Sequence, residues 1–219
     1  KQMGVPIAKL ICASNENKVL FDFFRTGTYD RNREFVLTSS PSMDILISSN
    51  LERLIYAIAG NDAVKNAEFM NKLKNEGVYE ITPEMKEKLK DFEGGYATEE
   101  ETKETIAGTY RSTGYVMDTH TAVAAHVCRA YRDNSGDGHK QLVASTASPY
   151  KFARSVMTAI DSGYDAMDEF ALIDELEKVS GVAVPAAIEE IRNAEILHTR
   201  ECDADKMKET VKEILGVEV

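Results

Sequence analysis

The sequence predicts an α/β fold with more helix than strand. Apolar runs typical of buried strands, at residues 5–12 and 140–145, alternate with segments whose apolar residues recur at helical spacing. Hydrophobic residues make up 43% of the 219 residues, which is enough to bury a core in one large domain or two small ones.

The first strand leads into two predicted helices. After residues 5–12, a helix is predicted from about Asn17 to Arg25, and Gly27 ends it because glycine readily adopts the left-handed conformation at a helix end. Residues 28–44 are predicted to be irregular or extended. The next helix follows from four apolar residues at helical spacing and from a start of capping-box form: Leu51, Leu54, Ile55 and Ile58, with Ser49 and Glu52 at the start.

Residues 61–113 predict a helical block, an insertion or peripheral layer, because they are rich in Lys and Glu and poor in large apolar residues. Three helix starts are predicted within it, at Asp62, at Thr82-Pro83 and at Thr98 with Glu101. We therefore expect residues 1–60 and 114–219 to form the large domain. In the latter, the stretch "MDTHTAVA" enters a helix, the strand at 140–145 follows, and helices are predicted at about 149–161, 167–179, 185–197 and 204–215.

Composition disfavours several classes of function. The net charge of −11 argues against nucleic acid or an anionic membrane surface as partner. No apolar run approaches the roughly 20 residues that cross a bilayer. The cysteines Cys12, Cys128 and Cys202 form no CxxC pair, which is typical of a reduced, cytoplasmic protein, with Cys12 and Cys128 as small core residues.

Common catalytic and metal-binding motifs are missing from the sequence. His120 and His126 lie six residues apart, on different faces of a helix, so no zinc site is predicted. The turn "DNSGDG" would place Ala144 where a calcium-binding loop needs its acidic ligand. There is no GxGxxG, GxxxxGK[ST] or GxSxG.

Small polar residues stand at the carboxyl ends of both predicted strands, in "ICASNEN" and "LVASTAS", and at the junction "MDTHTAVA". In an open α/β sheet, ligands bind at the carboxyl ends of the strands. These junctions therefore predict a ligand site. The alternative is that Ser145, Ser148 and Thr121 are only helix N-caps.

Four segments, in this order, resemble the threonine synthases of bacteria and fungi: "PIAKLICASNENKVLFDFFRTGTYD", "TSSPSMDILISSNLERLIY", "GYVMDTHTAVA" and "STASPYKF". The most specific signature is "SPSMDI" followed by "SSNLERL". The resemblance is to the C-terminal half of that family's chain, and together with the missing initiator Met it predicts that this chain is a piece of a longer protein.

The resemblance implies a truncated pyridoxal-phosphate enzyme of fold type II, the tryptophan synthase β-like fold, with a partial, mostly parallel sheet. The family converts O-phospho-L-homoserine and water to L-threonine and phosphate. In that fold a neutral hydroxyl faces the pyridine nitrogen of the cofactor, and the matching position here is Thr146. Ser14, Asn15, Asp118 and His120 are expected to line the active cleft, although His120 can equally be a helix-start residue with local hydrogen bonds.

The resemblance also implies what this chain lacks. The family's Schiff-base lysine and its phosphate loop lie upstream of the matching region, and the lysines here (Lys9, Lys18, Lys140 and Lys151) stand in no such motif. We therefore expect no catalytic residue in this chain, no activity and no cofactor binding by it alone. Two positions depart from the family pattern: Thr119 replaces the usual Pro, and Ser148 replaces a frequent His.

A second hypothesis is a non-catalytic binding or interaction module whose working surface is the helical tail, residues 167–219. Its apolar residues Leu172, Ile173 and Leu176 are also typical of a core. Because a sheet cut partway exposes an edge and an apolar face, we expect the chain to associate with itself.

Overall fold

The computed structural model describes residues 1–217, which separate into two compact units, Lys1–Ala183 and a second unit that begins at Val184. The first unit contains four strands and eight α-helices. In chain order these are β1 (Leu10–Ser14), α1 (Val19–Thr26), β2 (Thr28–Asp30), α2 (Leu51–Ile58), α3 (Ala63–Asn75), β3 (Val78–Glu80), α4 (Pro83–Glu87), β4 (Phe92–Tyr96), α5 (Glu99–Thr113), α6 (Thr119–Ser135), α7 (Ala153–Ile160) and α8 (Glu169–Ser180).

Strands β1 and β4 pair in parallel, with Leu10 opposite Phe92 at one end and Ser14 opposite Tyr96 at the other. Helices pack closely on both faces of β4, because its two central residues have no side chains. A Cβ on Gly94 would lie 3.1 Å from the Phe21 Cα of α1, and one on Gly95 would lie 2.4 Å from a Val127 methyl group of α6. Successive strand residues face opposite sides, so α1 and α6 cover opposite faces of the pair.

An aromatic core lies beneath α1 and between the antiparallel strands β2 and β3. The rings of Tyr29 and Tyr79 stack with centroids 5.5 Å apart, and Phe23 is fully buried beside them. The Tyr29 hydroxyl donates to the Leu46 carbonyl at 3.0 Å and accepts from the Ser48 N–H at 2.7 Å. A buried tyrosine with both hydrogen bonds made stabilises this core without leaving an unpaired polar atom.

Helices α5 to α8 form the other part of the first unit. Ile106, Val123 and Val156 are fully buried in it. Leu172, Ile173 and Leu176 of α8 are also buried, so this apolar face is core and is not an exposed interaction surface. The capping box predicted at Thr98 and Glu101 is confirmed, and Asp118 caps α6.

The predicted strand at residues 140–145 is wrong. This segment is irregular and Leu142 is 97% exposed. Within residues 1–217 no strand pairs with it; Gln141 and Ser145 instead make side-chain hydrogen bonds to α6. The capping box predicted at Ser49 is also wrong: Asn50 precedes α2, and its side-chain oxygen accepts from Arg53 and not from the helix backbone.

Other boundaries are closer to the prediction. Strand β1 begins at Leu10 and not at residue 5, while α1 ends at Gly27 as predicted. The segment 61–113 contains the predicted helices and also β3 and β4, so it contributes one strand of the parallel pair. Its interpretation as an insertion stays a prediction. Cys12 and Cys128 are half-buried, and burial raises the pKa of the Cys12 thiol to about 11.

The second unit contains helices α9 (Ala186–Arg192) and α10 (Met207–Leu215). Arg192 pairs with Glu189 at 3.1 Å within α9. No helix among residues 1–217 is long and apolar enough to cross a membrane.

Candidate cofactor-binding site

A buried polar cluster lies just beyond the carboxyl end of β1. We call Asn15, Asn17, Thr38, Ser40 and Asp44 the amide cluster. The Asn15 amide nitrogen donates to the Asp44 carboxylate at 2.7 Å and lies 2.9 Å from the Thr38 hydroxyl. The Asn15 side-chain oxygen accepts from the Asn17 N–H at 3.1 Å. Asn15, Asn17 and Ser40 are almost completely buried, so these hydrogen bonds compensate the loss of water.

The cluster fixes the irregular segment 38–44 against β1. The two Asp44 carboxylate oxygens accept from the Thr38 N–H at 3.0 Å and from the Thr38 hydroxyl at 2.7 Å. Asn17 exchanges hydrogen bonds with both backbone groups of Val36, at 2.8 and 3.0 Å. Ser39 donates to Glu99 at the start of α5. This segment, whose regular structure is limited to a 3₁₀ turn at Pro41–Met43, is therefore held by side chains in place of a ladder.

Asp118 organises the start of α6. Its carboxylate accepts from the N–H groups of His120 and Thr121, at 2.9 and 3.2 Å, and from the Thr121 hydroxyl. Asp118 is 1% exposed. A buried carboxylate at a helix N-terminus is stabilised both by these donors and by the helix dipole.

The His120 ring connects α6 to the amide-cluster segment. Its Nε2 accepts from the Ser42 N–H at 3.1 Å, so Nε2 carries no proton, and Nδ1 lies 3.3 Å from the Asp118 carboxylate. Burial lowers the pKa of His120 below 6.5, and the neighbouring Asp118 only partly opposes this shift. We infer a neutral imidazole with its proton on Nδ1, a form that hydrogen-bonds on both sides.

The segment 141–148, which we call the strap, reaches the same helix end. The Thr121 hydroxyl lies 2.9 Å from the Ser145 hydroxyl, and Thr121 in turn contacts Asp118. Thr146 follows at once and is exposed. Within residues 1–217 the Thr146 hydroxyl has no hydrogen-bond partner, so it is available to a ligand.

The structure thus links four of the five predicted site residues. Asn15 connects through segment 38–44 to His120 and Asp118, and Asp118 connects through Thr121 to Ser145, the residue before Thr146. Ser14 is buried beside them, and its carbonyl accepts from the Ala97 N–H at 3.0 Å, a backbone role. The role of each in binding a cofactor stays a prediction.

The sequence reasoning missed the residues that join the two sides of the site, Asp44 and Ser42. Both lie in "TSSPSMD", whose resemblance to the family predicts no site there. An acid beside several hydroxyls is the available signal, but the partners of Asp44 lie up to 29 residues away in the chain and cannot be paired from spacing alone.

A cavity of about 430 Å³ lies beside β4 and the C-terminal half of α6, lined by residues such as Gly94, Tyr131 and Asn134, and it includes none of the predicted site residues. In residues 1–217 no group of three or more His, Cys, Asp or Glu side chains could hold a metal ion.

Comparison with known proteins shows which family this chain resembles. Residues 121–212 match the family model for the C-terminal part of threonine synthase. The chain is similar to the C-terminal part of threonine synthases. It is 39% identical to threonine synthase of Saccharomyces cerevisiae over 199 residues, covering 82% of this chain and 38% of that protein. It is 43% identical to human threonine synthase-like 1 over 162 residues, 73% of this chain and 21% of that relative.

Solved structures agree with the sequence comparison. The crystal structure of threonine synthase from yeast matches with a TM-score of 0.78 and 30% identity, covering 98% of this chain and 43% of that one. The pyridoxal-phosphate-bound threonine synthase from Brucella melitensis matches with a TM-score of 0.68 and 30% identity, covering 89% and 37%. The predicted resemblance and the α/β fold of the pyridoxal-phosphate threonine synthases are thereby confirmed. The chain spans between about a fifth and two fifths of these relatives.

Proposed function

We propose that this chain forms the wall of a pyridoxal-phosphate site that faces the cofactor ring in a threonine synthase. The observation that carries the proposal is the exposed, unpartnered Thr146 hydroxyl at the end of a hydrogen-bonded path from the amide cluster. The similarity to the threonine synthases of yeast and Brucella melitensis supports it.

The residues present are compatible with an uncharged hydrogen-bonding group, the Thr146 hydroxyl, facing the pyridine nitrogen of the cofactor. When bound, pyridoxal phosphate supplies an electron sink for chemistry at the substrate's carbon atoms. A carboxylate at the ring nitrogen would hold it protonated and deepen that sink, whereas a hydroxyl donates to an unprotonated nitrogen. Thr146 offers such a hydroxyl, and the nearest acid of the path, Asp118, is occupied by its donors on α6.

The other site residues hold the backbone around the site in place. The amide cluster and His120 hold segment 38–44 in place, and Asp118 fixes the start of α6. A site that must align a planar ring benefits from such pre-arranged groups, because they do not have to be ordered during the reaction. His120, neutral and hydrogen-bonded on Nε2, has this positioning role in the proposal and does not transfer a proton.

We propose the family reaction for the longer protein: O-phospho-L-homoserine and water give L-threonine and phosphate. The chain alone is expected to be inactive, since no lysine here stands in the family's Schiff-base motif and that amine is needed for covalent catalysis. The test is phosphate release from O-phospho-L-homoserine with added pyridoxal phosphate. We expect a rate equal to that without protein, and turnover by the isolated chain would overturn the proposal of inactivity.

The role of Thr146 is tested in a longer protein, with this chain joined to the N-terminal part of a threonine synthase. We expect a visible absorption band of bound pyridoxal phosphate, and a shifted band and weaker binding after Thr146→Ala. Thr113→Ala, which removes a hydroxyl bonded to the Thr109 carbonyl of its own helix α5 and to the N–H of the nearby Tyr115, is the matched control and should change neither. An identical spectrum in both variants would contradict the assignment of Thr146.

Self-association of the isolated chain is a further expectation. Within residues 1–217 β1 and β4 pair only with each other, so each leaves one edge unpaired. Light scattering is expected to show species larger than 24.3 kDa, and a monodisperse monomer would contradict this. For the alternative function, an interaction module using residues 167–219, the burial of Leu172, Ile173 and Leu176 removes α8 as the surface and leaves the exposed apolar residues after Ala183, such as Ile191 and Leu215.

A further inference from the structure

We propose that Thr121 is a positioning residue that fixes the location of Thr146 by holding Ser145. This inference rests on the proposed role of Thr146. The two residues are not in contact: Thr121 lies on α6, its hydroxyl is 2.9 Å from that of Ser145, and Thr146 is the next residue in the strap.

The direction of the hydrogen bonds follows from the Asp118 carboxylate. An ionised carboxylate only accepts, so the Thr121 hydroxyl donates its proton to Asp118. The same oxygen then accepts from the Ser145 hydroxyl. The path runs from Ser145 through Thr121 to Asp118, and the charged acceptor at its end strengthens each bond. A valine at position 121 would remove both hydrogen bonds while keeping the shape.

The strap is held at two points along α6. Besides the Ser145 contact, the Cys128 thiol donates to the Gln141 side-chain oxygen at 2.8 Å. Four extended residues from Gln141 to Ser145 span about 13 Å, and the seven helical residues from Thr121 to Cys128 span about 10 Å. The two lengths are similar, so the strap lies along the helix in the opposite direction, with its register set by these two contacts.

Among residues 1–217, the contact of Thr121 with Ser145 is the hydrogen bond that holds residues 142–147. Leu142 is 97% exposed, Thr146 has no hydrogen-bond partner there, and the next anchor is Ser148, whose hydroxyl accepts from the Tyr150 N–H at 3.3 Å. Loss of the Thr121 contact therefore leaves Thr146 midway in a free segment between Gln141 and Ser148.

The experiment compares variants of the isolated chain without cofactor. Chymotrypsin cleavage after the exposed Leu142 reports on release of the strap, and the ¹⁵N heteronuclear NOE of Thr146 reports on its fast motion. We expect Thr121→Val to raise the cleavage rate about fivefold, the effect of losing one typical hydrogen bond, and to lower the NOE. Thr121→Ser keeps the hydroxyl and should restore both values.

Two further variants separate loss of the Thr121–Ser145 contact from a general loss of stability. Ser145→Ala removes the same contact from an exposed position, where folding is not at risk, and should reproduce Thr121→Val. Thr119→Val removes a fully buried hydroxyl two residues away that does not touch the strap, and should change neither readout. Equal cleavage and NOE in Thr121→Val and wild type would overturn the proposal. Because neither readout involves pyridoxal phosphate, a failure of the Thr146 assignment would be seen separately, in the absorption spectrum.

Discussion

The amide cluster and the strap are two sides of one candidate site, but they are built in opposite ways. Asn15 and Asp44 each make several hydrogen bonds in a largely buried setting, whereas Thr146 in the strap is exposed and makes none within residues 1–217. Buried polar groups must be paired or they destabilise the fold. The cluster therefore stabilises the fold, whereas the Thr146 hydroxyl makes no hydrogen bond to the described residues and can serve the proposed ligand site.

The largest expected effect of a substitution is on the amide cluster. Asp44→Ala removes an acceptor shared by Asn15, Asn17 and Thr38, and the Thr38 N–H loses the one acceptor it has among the described residues. We expect the free energy of unfolding to fall by about 2–4 kcal/mol, measured by urea denaturation. Glu34→Ala, the same charge change at an exposed position, is the control and should cost less than about 0.5 kcal/mol. Equal losses would show that the cluster contributes no special stability.

The next largest effect is on the pH dependence of stability, through His120, which joins the two sides of the site. Burial lowers the pKa of His120 in the folded state, while the unfolded chain keeps a value near 6.5. Well above pH 6.5, His120 is neutral in both the folded and the unfolded chain. As the pH falls through 6.5, the unfolded chain binds a proton at His120 before the folded chain does, so the folded state loses stability. This loss ends once the pH lies below the lowered pKa of His120 in the folded state.

The measurement is the melting temperature between pH 7.5 and pH 5. We expect His120→Gln to reduce the fall in melting temperature with acid, because the group that binds the proton on unfolding is gone. His139→Gln, at an exposed histidine paired with Asp137, separates this effect from the general loss of a histidine. A His120→Gln profile parallel to that of wild type would contradict the burial argument.

The smallest expected effect is on the strap. Thr146→Val keeps the branched shape and removes a hydroxyl with no partner among the described residues, so we expect the free energy of unfolding to change by less than about 0.5 kcal/mol. The measurement is urea denaturation beside Asp44→Ala. A loss of 2 kcal/mol or more, on the order of a buried unpaired group, would mean that Thr146 belongs to the fold and not to a ligand site.

The sequence predicted correctly those helix boundaries that depend on residues close together in the chain. The end of α1 at Gly27, the capping box at Thr98 and the entry into α6 at Asp118 depend on residues one to four positions apart, and all three are present. The capping box at Ser49 had the same form but failed, because Asn50 occupies the N-cap position and its side chain binds Arg53 instead.

The remaining features depend on contacts between distant residues. The segment 140–145 has the composition of a strand, but a strand needs a neighbour, and its partners here are side chains of a helix. The link from His120 to Ser42 joins residues 78 positions apart. The candidate residues Asn15, Asp118, His120 and Thr146 came from junctions and resemblance, whereas Asp44 and Ser42, which connect them, came only from the folded chain.

Gly94 and Gly95 of β4 influence the position of the candidate site from a distance. Because Gly95 has no side chain, Val127 of α6 packs directly against the backbone of β4. The missing Cβ therefore sets the distance between α6 and the strand. Asp118 and Thr121 lie at the N-terminal end of the same helix, about two turns from Val127. A methyl group added at position 95 would press on Val127, displace α6 and so shift Asp118 and Thr121, without touching any predicted site residue.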